Sequence, residues 1–175
     1  MDELVRLRIE PKSVLEVGCA NGWRVERLIE RYNCKAKGID PALPEFKRPS
    51  LNNLRHGHAA ALYHYPSVHF DLVIYGFCLY LCDPQDYPAI VNEGDRVLAD
   101  GGYLVIHDFD MEKGEAPWRT PYKHKEGIFS YHVNFAALWM ALPQYREMNW
   151  TKIGYESVTV LRKDLAGAFG ERPNP

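Results

Sequence analysis

The residues best suited to chemistry lie in a glycine turn near the start of the chain. Residues 18–22 read Gly-Cys-Ala-Asn-Gly, follow the short apolar run Ser13–Val17 and precede an amphipathic helical pattern. A glycine turn between a strand and a helix lets a ligand approach the backbone closely, beside amide N–H groups and the positive end of the helix. The turn therefore predicts a site for an anionic or zwitterionic group.

A carboxylate at the end of the next predicted strand adds to this pattern. Lys35–Ile39 is predicted as a strand that closes on Asp40 and Pro41, where proline ends ladder pairing. An ionised acid in that place can accept hydrogen bonds from both hydroxyls of a ribose, which favours a nucleoside cofactor. The dinucleotide fingerprint Gly-x-Gly-x-x-Gly is absent, because three residues separate Gly18 from Gly22, and NAD is therefore disfavoured.

Composition and charge exclude several classes of partner. The chain has 175 residues, 46% of them hydrophobic, and a formal net charge of −2, which is typical of one globular domain and lacks the basic footprint of a nucleic-acid binder. No apolar run approaches the roughly 20 residues that span a bilayer, and the start of the chain lacks signal-peptide features. We predict a cytoplasmic protein without nucleic-acid or membrane partners; a homodimer is left open.

Metal binding is not predicted. The four cysteines have no Cys-x-x-Cys spacing and are expected to be free thiols: Cys19, Cys34, Cys78 and Cys82. The His and Asp residues of the later region match no compact ligand motif: His107, Asp108, Asp110 and His124.

Short apolar runs alternate with amphipathic helical stretches, which is typical of a parallel sheet covered by helices. Strands are predicted at Phe70–Phe77 and Tyr103–Ile106, with a helix over Pro84–Leu98 between them. Tyr131–Leu142 has the pattern of an apolar helix, and a terminal antiparallel hairpin is predicted from residues 145–153 and 157–162. Residues 1–165 are predicted as one domain and residues 166–175 as a flexible tail.

Five segments resemble the motifs of the class I S-adenosylmethionine-dependent methyltransferases. Their order and spacing agree over roughly two thirds of the chain. The matching segments are residues 14–22, Gly38-Ile39-Asp40, residues 57–62, Phe70-Asp71-Leu72-Val73-Ile74 and residues 98–106. The resemblance implies an α/β fold, a Rossmann-like three-layer sandwich whose mostly parallel sheet ends in an antiparallel hairpin. It also implies S-adenosyl-L-methionine as the cofactor.

The resemblance further implies which residues surround the cofactor. Gly18 and Cys19 would hold its methionine part, with Glu16 supporting the turn or the amino group through water. Asp40 would bind the ribose, and His58 would border the adenine. The full implied set is Glu16, Gly18, Cys19, Asn21, Gly22, Asp40, Pro41, His58, Ala59, Tyr75, Gly76 and Tyr80.

Two positions depart from the family's pattern. Ala20 stands where the middle glycine is usual, so we expect this residue to avoid positive φ. His58 replaces the usual acid, so a neutral imidazole nitrogen or the backbone would accept from the adenine amino group. Alternatives stay open: the glycines could serve only a packing turn, and Tyr75 also fits a packing role at a strand end.

Candidate bases follow the last predicted parallel strand. Methyl transfer from a sulfonium is an in-line displacement, so the protein must hold the acceptor and remove its proton. His107 and Asp108 lie at the carboxyl end of that strand and His124 lies further along, so these three are the predicted catalytic residues. Alternatively, Asp108 caps a turn and His107 packs under it.

The predicted acceptor is a small molecule. Residues 109–130 are polar, aromatic-rich and too long for a plain connection, which favours a substrate lid. The Asn/Asp-Pro-Pro-Tyr signature of many enzymes that methylate amide or adenine nitrogen is missing after the fourth strand, where residues 75–78 read Tyr-Gly-Phe-Cys. We expect transfer to an oxygen of a sugar, a glycan precursor or another small metabolite. The alternative is a cofactor-binding domain without turnover that acts as a regulatory or partner subunit.

Overall fold

The computed structural model describes residues 2–43, 52–109, 111, 116–123 and 125–169. The helices in these ranges are α1 (Asp2–Arg6), α2 (Trp23–Tyr32), α3 (Tyr87–Val97), α4 (Phe135–Met140) and α5 (Leu165–Ala168). The strands are β1 (Ser13–Val17), β2 (Lys35–Asp40), β3 (Leu54–His56), β4 (Phe70–Gly76), β5 (Leu98–Phe109), β6 (Trp118–Pro121), β7 (Phe129–His132), β8 (Tyr145–Ile153) and β9 (Glu156–Lys163). Two short 3₁₀ helices, Leu79–Leu81 and Pro84–Asp86, precede α3.

The described strands form one large sheet and a separate hairpin. Seven strands pair in the order β3-β2-β1-β4-β5-β9-β8, and β6 pairs with β7. Strands β1 to β5 run parallel to one another, whereas β9 runs antiparallel to both β5 and β8. The predicted mostly parallel sheet with a terminal antiparallel hairpin is confirmed. The carboxyl ends of β1, β2 and β4 therefore meet at one edge of the sheet.

Helices cover both faces of this sheet and create the three layers. Val14 and Leu15 are fully buried and project to opposite faces of β1. Val14 packs in one cluster with Val25 of α2, whereas Leu15 belongs to a second cluster with Ile90 of α3 and Trp139 of α4. Burial of both faces explains why the central strands read as almost continuous apolar runs.

The boundary between α3 and β5 differs from the prediction. We expect a helix over Pro84–Leu98 and a strand over Tyr103–Ile106, whereas α3 begins later and β5 is much longer. Leu98 already pairs with Phe70 of β4, and an irregularity in the register follows. Gly101, which predicts the end of a helix, has a φ of 76° inside this irregular part of the strand.

The region after β5 also differs from the prediction. Tyr131–Leu142 is expected to be one helix, but its first residues belong to β7 and α4 is shorter. Ser130 and His132 are buried on the same side of β7 and hydrogen-bond to each other at 3.0 Å. Oδ1 of Asn134 accepts a hydrogen bond from the N–H of Ala137 at 3.2 Å, so a side-chain cap starts α4 only after the strand.

The segment predicted as a lid, residues 109–130, contains β6 and the start of β7. Strand β7 packs against the 3₁₀ helix at residues 79–81, and the ring of Trp118 stacks on His132 with centroids 3.6 Å apart. His124, one of the predicted bases, lies outside the described residues. Helix α5 crosses residue 166, where we predict the tail to begin. None of the helices in the described ranges has the length and apolar character needed to cross a bilayer.

Candidate active site

The glycine turn lies directly after β1 and is hydrogen-bonded to the end of β2. Gly18 has a φ of 76° and Gly22 a φ of 79°, a conformation that glycine adopts without strain. The N–H groups of Gly18 and Cys19 both donate to the carbonyl of Ile39, at 2.9 and 3.2 Å. A Cβ at Gly18 would overlap the side chain of Cys78. Two neighbouring strand ends therefore approach each other closely here, and glycine at position 18 makes that possible.

Asp40 joins the glycine turn to the end of β2. Its Oδ2 accepts a hydrogen bond of 2.8 Å from the N–H of Ala20, and its Oδ1 accepts one of 2.8 Å from the N–H of Ala42. The expectation that Ala20 avoids positive φ is wrong, because its φ is 47°. The bond to Asp40 supports this left-handed conformation. Each oxygen of Asp40 keeps a second acceptor site for a ligand.

Glu16 and Arg24 form a buried ion pair beside the turn. Nη1 of Arg24 lies 2.6 Å from Oε1 of Glu16, and the two side chains are 15% and 2% exposed. Burial raises the pKa of Glu16 to about 7, although the neighbouring guanidinium acts to lower it. The other oxygen, Oε2, is buried and has no hydrogen-bond partner among the described residues. Such an atom marks a place where a ligand can donate.

These groups line a cavity of about 920 Å³ at the carboxyl edge of the sheet. Nine predicted cofactor residues border it: Glu16, Gly18, Cys19, Asp40, Pro41, His58, Ala59, Gly76 and Tyr80. The other lining residues are Val17, Ala20, Trp23, Arg24, Ile39, Ala42, Ala60, Phe77, Cys78, Leu81, Cys82, Asp83, Asp86, Ile90 and Tyr122. The cavity thus extends from the turn and the end of β2 to the residues that follow β4.

Three predicted cofactor residues do not line the cavity. Tyr75 is fully buried, and its hydroxyl donates to the carbonyl of Ile90 at 3.3 Å, so it is a core residue. The side chain of Asn21 accepts from the N–H of Trp23 at 3.3 Å. Gly22 lies at the N-terminal boundary of α2. The position of Tyr75 therefore matches the alternative prediction, a packing residue at a strand end.

Several lining residues lie outside the predicted cofactor-binding set. Arg24 belongs to the polar face of a helical pattern. Its contact with Glu16 joins α2 to β1 and depends on the tertiary fold. Phe77 has a φ of 62°, an uncommon conformation for an aromatic residue, and nothing in the sequence marks it. Tyr122 comes from the connection between β6 and β7. Asp86 ends a 3₁₀ helix that we expect to be the first turn of α3.

The far end of the cavity is aromatic. The ring of Phe77 lies 5.1 Å from that of Tyr80 and 4.8 Å from that of Phe109, between centroids. Tyr80 and Tyr122 approach with centroids 6.3 Å apart. Flat rings with hydroxyl tips suit a small polar or aromatic molecule.

Asp108 is not among the residues that line this cavity. Its Oδ2 accepts from the N–H groups of Leu79 and Tyr80 at 2.9 and 3.3 Å, and its Oδ1 accepts from Phe109 at 2.8 Å. Burial raises its pKa to about 7. Asp108 borders a second cavity of about 960 Å³ between α4 and the β8–β9 hairpin. The carboxylate of Asp108 caps the turn at residues 79–81, which agrees with the alternative prediction that this residue caps a turn.

His107 also lies off the cofactor cavity. Its Nε2 is 2.7 Å from Oε2 of Glu156, at the start of β9, and its ring packs 5.5 Å from that of Phe77. Neither His107 nor Asp108 lines the cavity that contains the glycine turn and Asp40. The structure therefore does not bring these two predicted bases to that cavity.

The cavity thiols are protonated at neutral pH. Burial raises the pKa of Cys19 to about 12 and that of Cys82 to about 12, so neither is a thiolate nucleophile. In the described part of the chain, no group of three or more His, Cys, Asp or Glu side chains could hold a metal ion.

The parallel sheet, the glycine turn and the carboxylate at the end of β2 define a Rossmann-like protein that binds a nucleoside cofactor at the carboxyl edge of its strands. The chain belongs to the methyltransferase domain family, whose model matches residues 1–158. No curated protein is significantly similar in sequence.

Many solved structures share the fold. One is the 1,6-didemethyltoxoflavin N1-methyltransferase of Burkholderia thailandensis, with 1,6-didemethyltoxoflavin and S-adenosylhomocysteine bound. It is 16% identical, has a TM-score of 0.71, and the match covers 92% of this chain and 74% of that one. An S-adenosylmethionine-dependent methyltransferase of Methanosarcina mazei is 17% identical with a TM-score of 0.71, over 93% and 97% of the two chains. An O-methyltransferase family protein of Burkholderia thailandensis is 13% identical with a TM-score of 0.68, over 93% and 58%. At these identities the likeness concerns the fold.

The cofactor is S-adenosylmethionine, and the residues of the cavity fit it. Asp40 retains acceptor sites for ribose hydroxyls, and the unpartnered oxygen of Glu16 can accept from an ammonium group. The close backbone approach at Gly18 leaves the turn open to a ligand. The chain is therefore a methyltransferase.

Proposed function

We propose that this methyltransferase modifies a small neutral molecule, at an oxygen, in the aromatic end of the cofactor cavity. The observation that carries the proposal is the continuity of one cavity from Asp40 to Tyr80 and Tyr122. An acceptor bound against these rings shares one space with the cofactor, as in-line transfer requires. The cofactor supplies a methyl group on a sulfonium, and the chain holds the acceptor and takes up its proton.

The charge of the cavity favours a neutral acceptor. One guanidinium and four carboxylates line it among the described residues: Arg24, Glu16, Asp40, Asp83 and Asp86. A phosphate or carboxylate on the acceptor would be repelled by this excess of negative charge. A sugar hydroxyl, a phenol or a similar neutral group fits better than a sugar nucleotide does.

Asp86 is the proposed base in place of His107 and Asp108. It is partly buried, borders the cavity, and its carboxylate has no ion-pair partner among the described residues. Asp83, three residues earlier on the same turn, is exposed, and its Oδ1 accepts from the N–H of Gln85 at 3.0 Å. The two aspartates thus form a matched pair for comparison.

Transfer from labelled cofactor to two compound pools tests this proposal. One pool holds neutral sugars and phenols, and the other holds sugar nucleotides and carboxylates. We expect product from the neutral pool. We also expect Asp86→Asn to lower kcat by about 100-fold, with Asp83→Asn close to wild type. Transfer only to anionic acceptors, or equal rates for the two variants, would contradict the proposal.

A further inference from the structure

The part of the cofactor cavity that follows β4 is aromatic and apolar. Its lining residues in this stretch are Phe77, Cys78, Tyr80, Leu81 and Cys82. The rings of Phe77, Tyr80 and Phe109 contact one another, with centroids 4.8 to 5.1 Å apart. Each of the two lining rings is therefore held by two others, so the aromatic surface is formed before a ligand binds.

Phe77 takes its place on this surface through a strained backbone. Its φ is 62°, and its N–H donates to the carbonyl of His107 at 2.7 Å, which holds the conformation. Strained residues of this kind persist only where the surrounding structure fixes them, and they cluster at ligand sites. The side chain is only partly buried and lines the cavity. The strain thus places an aromatic ring where a ligand can contact it.

Tyr122 adds a ring from a different element, the connection between β6 and β7. Its N–H donates to the carbonyl of Ile128 at 2.8 Å, which closes the loop of this hairpin. The side chains of Tyr122 and Tyr80 share a hydrogen bond, and their ring planes meet at 64°. The hairpin therefore contributes a fixed ring whose hydroxyl group is already engaged.

This end of the cavity suits a ring with few polar groups. In the described stretch from Phe77 to Ile90, the charged side chains that line the cavity are Asp83 and Asp86. A sugar carries several hydroxyl groups, and each one that is buried without a partner weakens binding. An aromatic ring instead packs its faces and edges against other rings. The protonated thiol of Cys82 adds a polarisable contact that also favours an aromatic ligand.

The chemistry of the base favours the same class of acceptor. Asp86, the proposed base, is a carboxylate, and carboxylates are weak bases. A phenol has a pKa of about 10, as the tyrosine side chain does, whereas an aliphatic hydroxyl is a much weaker acid. A carboxylate therefore removes the proton of a phenol more readily than that of a sugar.

We infer that the acceptor is a phenol, a planar aromatic ring with a hydroxyl group, and that Phe77 and Tyr122 bind its ring. This inference rests on the proposed function and narrows its acceptor. A lone pair of the phenol oxygen forms the bond to the methyl carbon while the bond from that carbon to the sulfonium sulfur breaks. The electron pair of the broken bond stays on the sulfur, which becomes a neutral thioether, and the phenol proton passes to the carboxylate of Asp86.

Transfer from labelled cofactor to three sets of neutral acceptors tests the inference. The first set holds simple phenols and naphthols, the second holds the corresponding cyclohexanols and decalols, and the third holds methyl glycosides. The first two sets match in ring number and hydroxyl count and differ in aromaticity. We expect the phenols to react at least about tenfold faster than either other set.

The outcomes separate this inference from the proposed function. Equal or faster transfer to the saturated alcohols or to the glycosides would overturn the inference and leave the proposed function standing. Transfer to anionic acceptors alone, or to none of the acceptors, would contradict both.

Variants of Tyr122 separate contact with the ring from the acidity of the phenol. We expect Tyr122→Leu to raise the KM for the phenol about three- to tenfold, whereas Tyr122→Phe keeps the ring and should stay within about twofold of wild type. Phe129→Leu, in the same hairpin but outside the cavity lining, is the matched control and should leave KM unchanged. The same KM for Tyr122→Leu and Tyr122→Phe would overturn the assignment of Tyr122 to the acceptor ring.

Discussion

Oδ2 of Asp108 accepts a hydrogen bond of 2.9 Å from the backbone N–H of Leu79. This bond ties the end of β5 to the turn at residues 79–81, which carries Tyr80 into the cofactor cavity. The carboxylate that the sequence marks as a base thus holds the turn that forms part of the cavity wall.

Asp108→Asn should destabilise this turn. An amide has one acceptor oxygen in place of two, so the N–H of Phe109 or those of Leu79 and Tyr80 would lose their partner. We expect a loss of about 1–3 kcal/mol in the free energy of unfolding, measured by urea denaturation, and weaker binding of S-adenosylhomocysteine. Unchanged stability would show that the hydrogen bonds to Asp108 contribute little.

His107→Ala should leave turnover almost unchanged. Its imidazole pairs with Glu156 at a partly exposed strand end, away from the residues that line the cofactor cavity. Such pairs contribute less than about 1 kcal/mol to the free energy of unfolding, so the variant should also stay folded. The check is kcat with any acceptor found in the labelled-cofactor screen. A large decrease in the kcat of a folded His107→Ala variant would contradict this prediction and would support His107 as the base.

Parts of the fold follow directly from the sequence. Strand β1 is predicted with its observed bounds, Ser13–Val17, because an apolar run ends in a glycine turn. Strand β8 also matches, since the turn at residues 154–155 sets the hairpin. The α3–β5 boundary could not be predicted, because the pairing of Leu98 with Phe70 is a long-range contact that overrides local glycine signals.

The cofactor half of the site was more predictable than the acceptor half. Glu16, Gly18 and Asp40 lie in short motifs whose spacing is visible along the chain. Arg24 and Tyr122 reach the cavity through tertiary packing, from a helix face and a hairpin connection that carry no motif. The side chains of His107 and Asp108 point to opposite faces of β5. The sequence does not show which residues pack against each of them.

Ala20→Gly should stabilise the protein. Ala20 holds a φ of 47°, a left-handed conformation that costs an alanine about 1 kcal/mol more than a glycine. We expect a gain of about 1 kcal/mol in thermal or urea denaturation. Ala36→Gly, in the middle of β2, is the control and should lower stability. A loss at both positions would mean that the turn does not strain Ala20.

Asp40→Ala should weaken cofactor binding by about 1–3 kcal/mol, because charge-assisted hydrogen bonds to the ribose are lost. The turn also loses the acceptor for the N–H of Ala20. Calorimetry with S-adenosylhomocysteine and with 5′-methylthioadenosine should show similar losses, since both ligands carry the ribose. Unchanged affinity would place the ribose elsewhere.

The stability of the ligand-free protein should fall with rising pH in the range set by Glu16. The pKa of this carboxyl rises from 4.5 to about 7 on folding, so the native state holds a proton that the unfolded state releases. The contribution is fully present below pH 4.5 and is lost as the pH rises through about 7. Denaturation curves of wild type and Glu16→Gln at several pH values measure it. A difference between them that does not depend on pH would contradict the raised pKa.

The most direct test is a crystal structure of the chain with S-adenosylhomocysteine. The site described above predicts ribose hydroxyls on Asp40 and the ammonium on Oε2 of Glu16. Electron density for the ligand in the second cavity beside Asp108, or a ribose that lies away from Asp40, would contradict it.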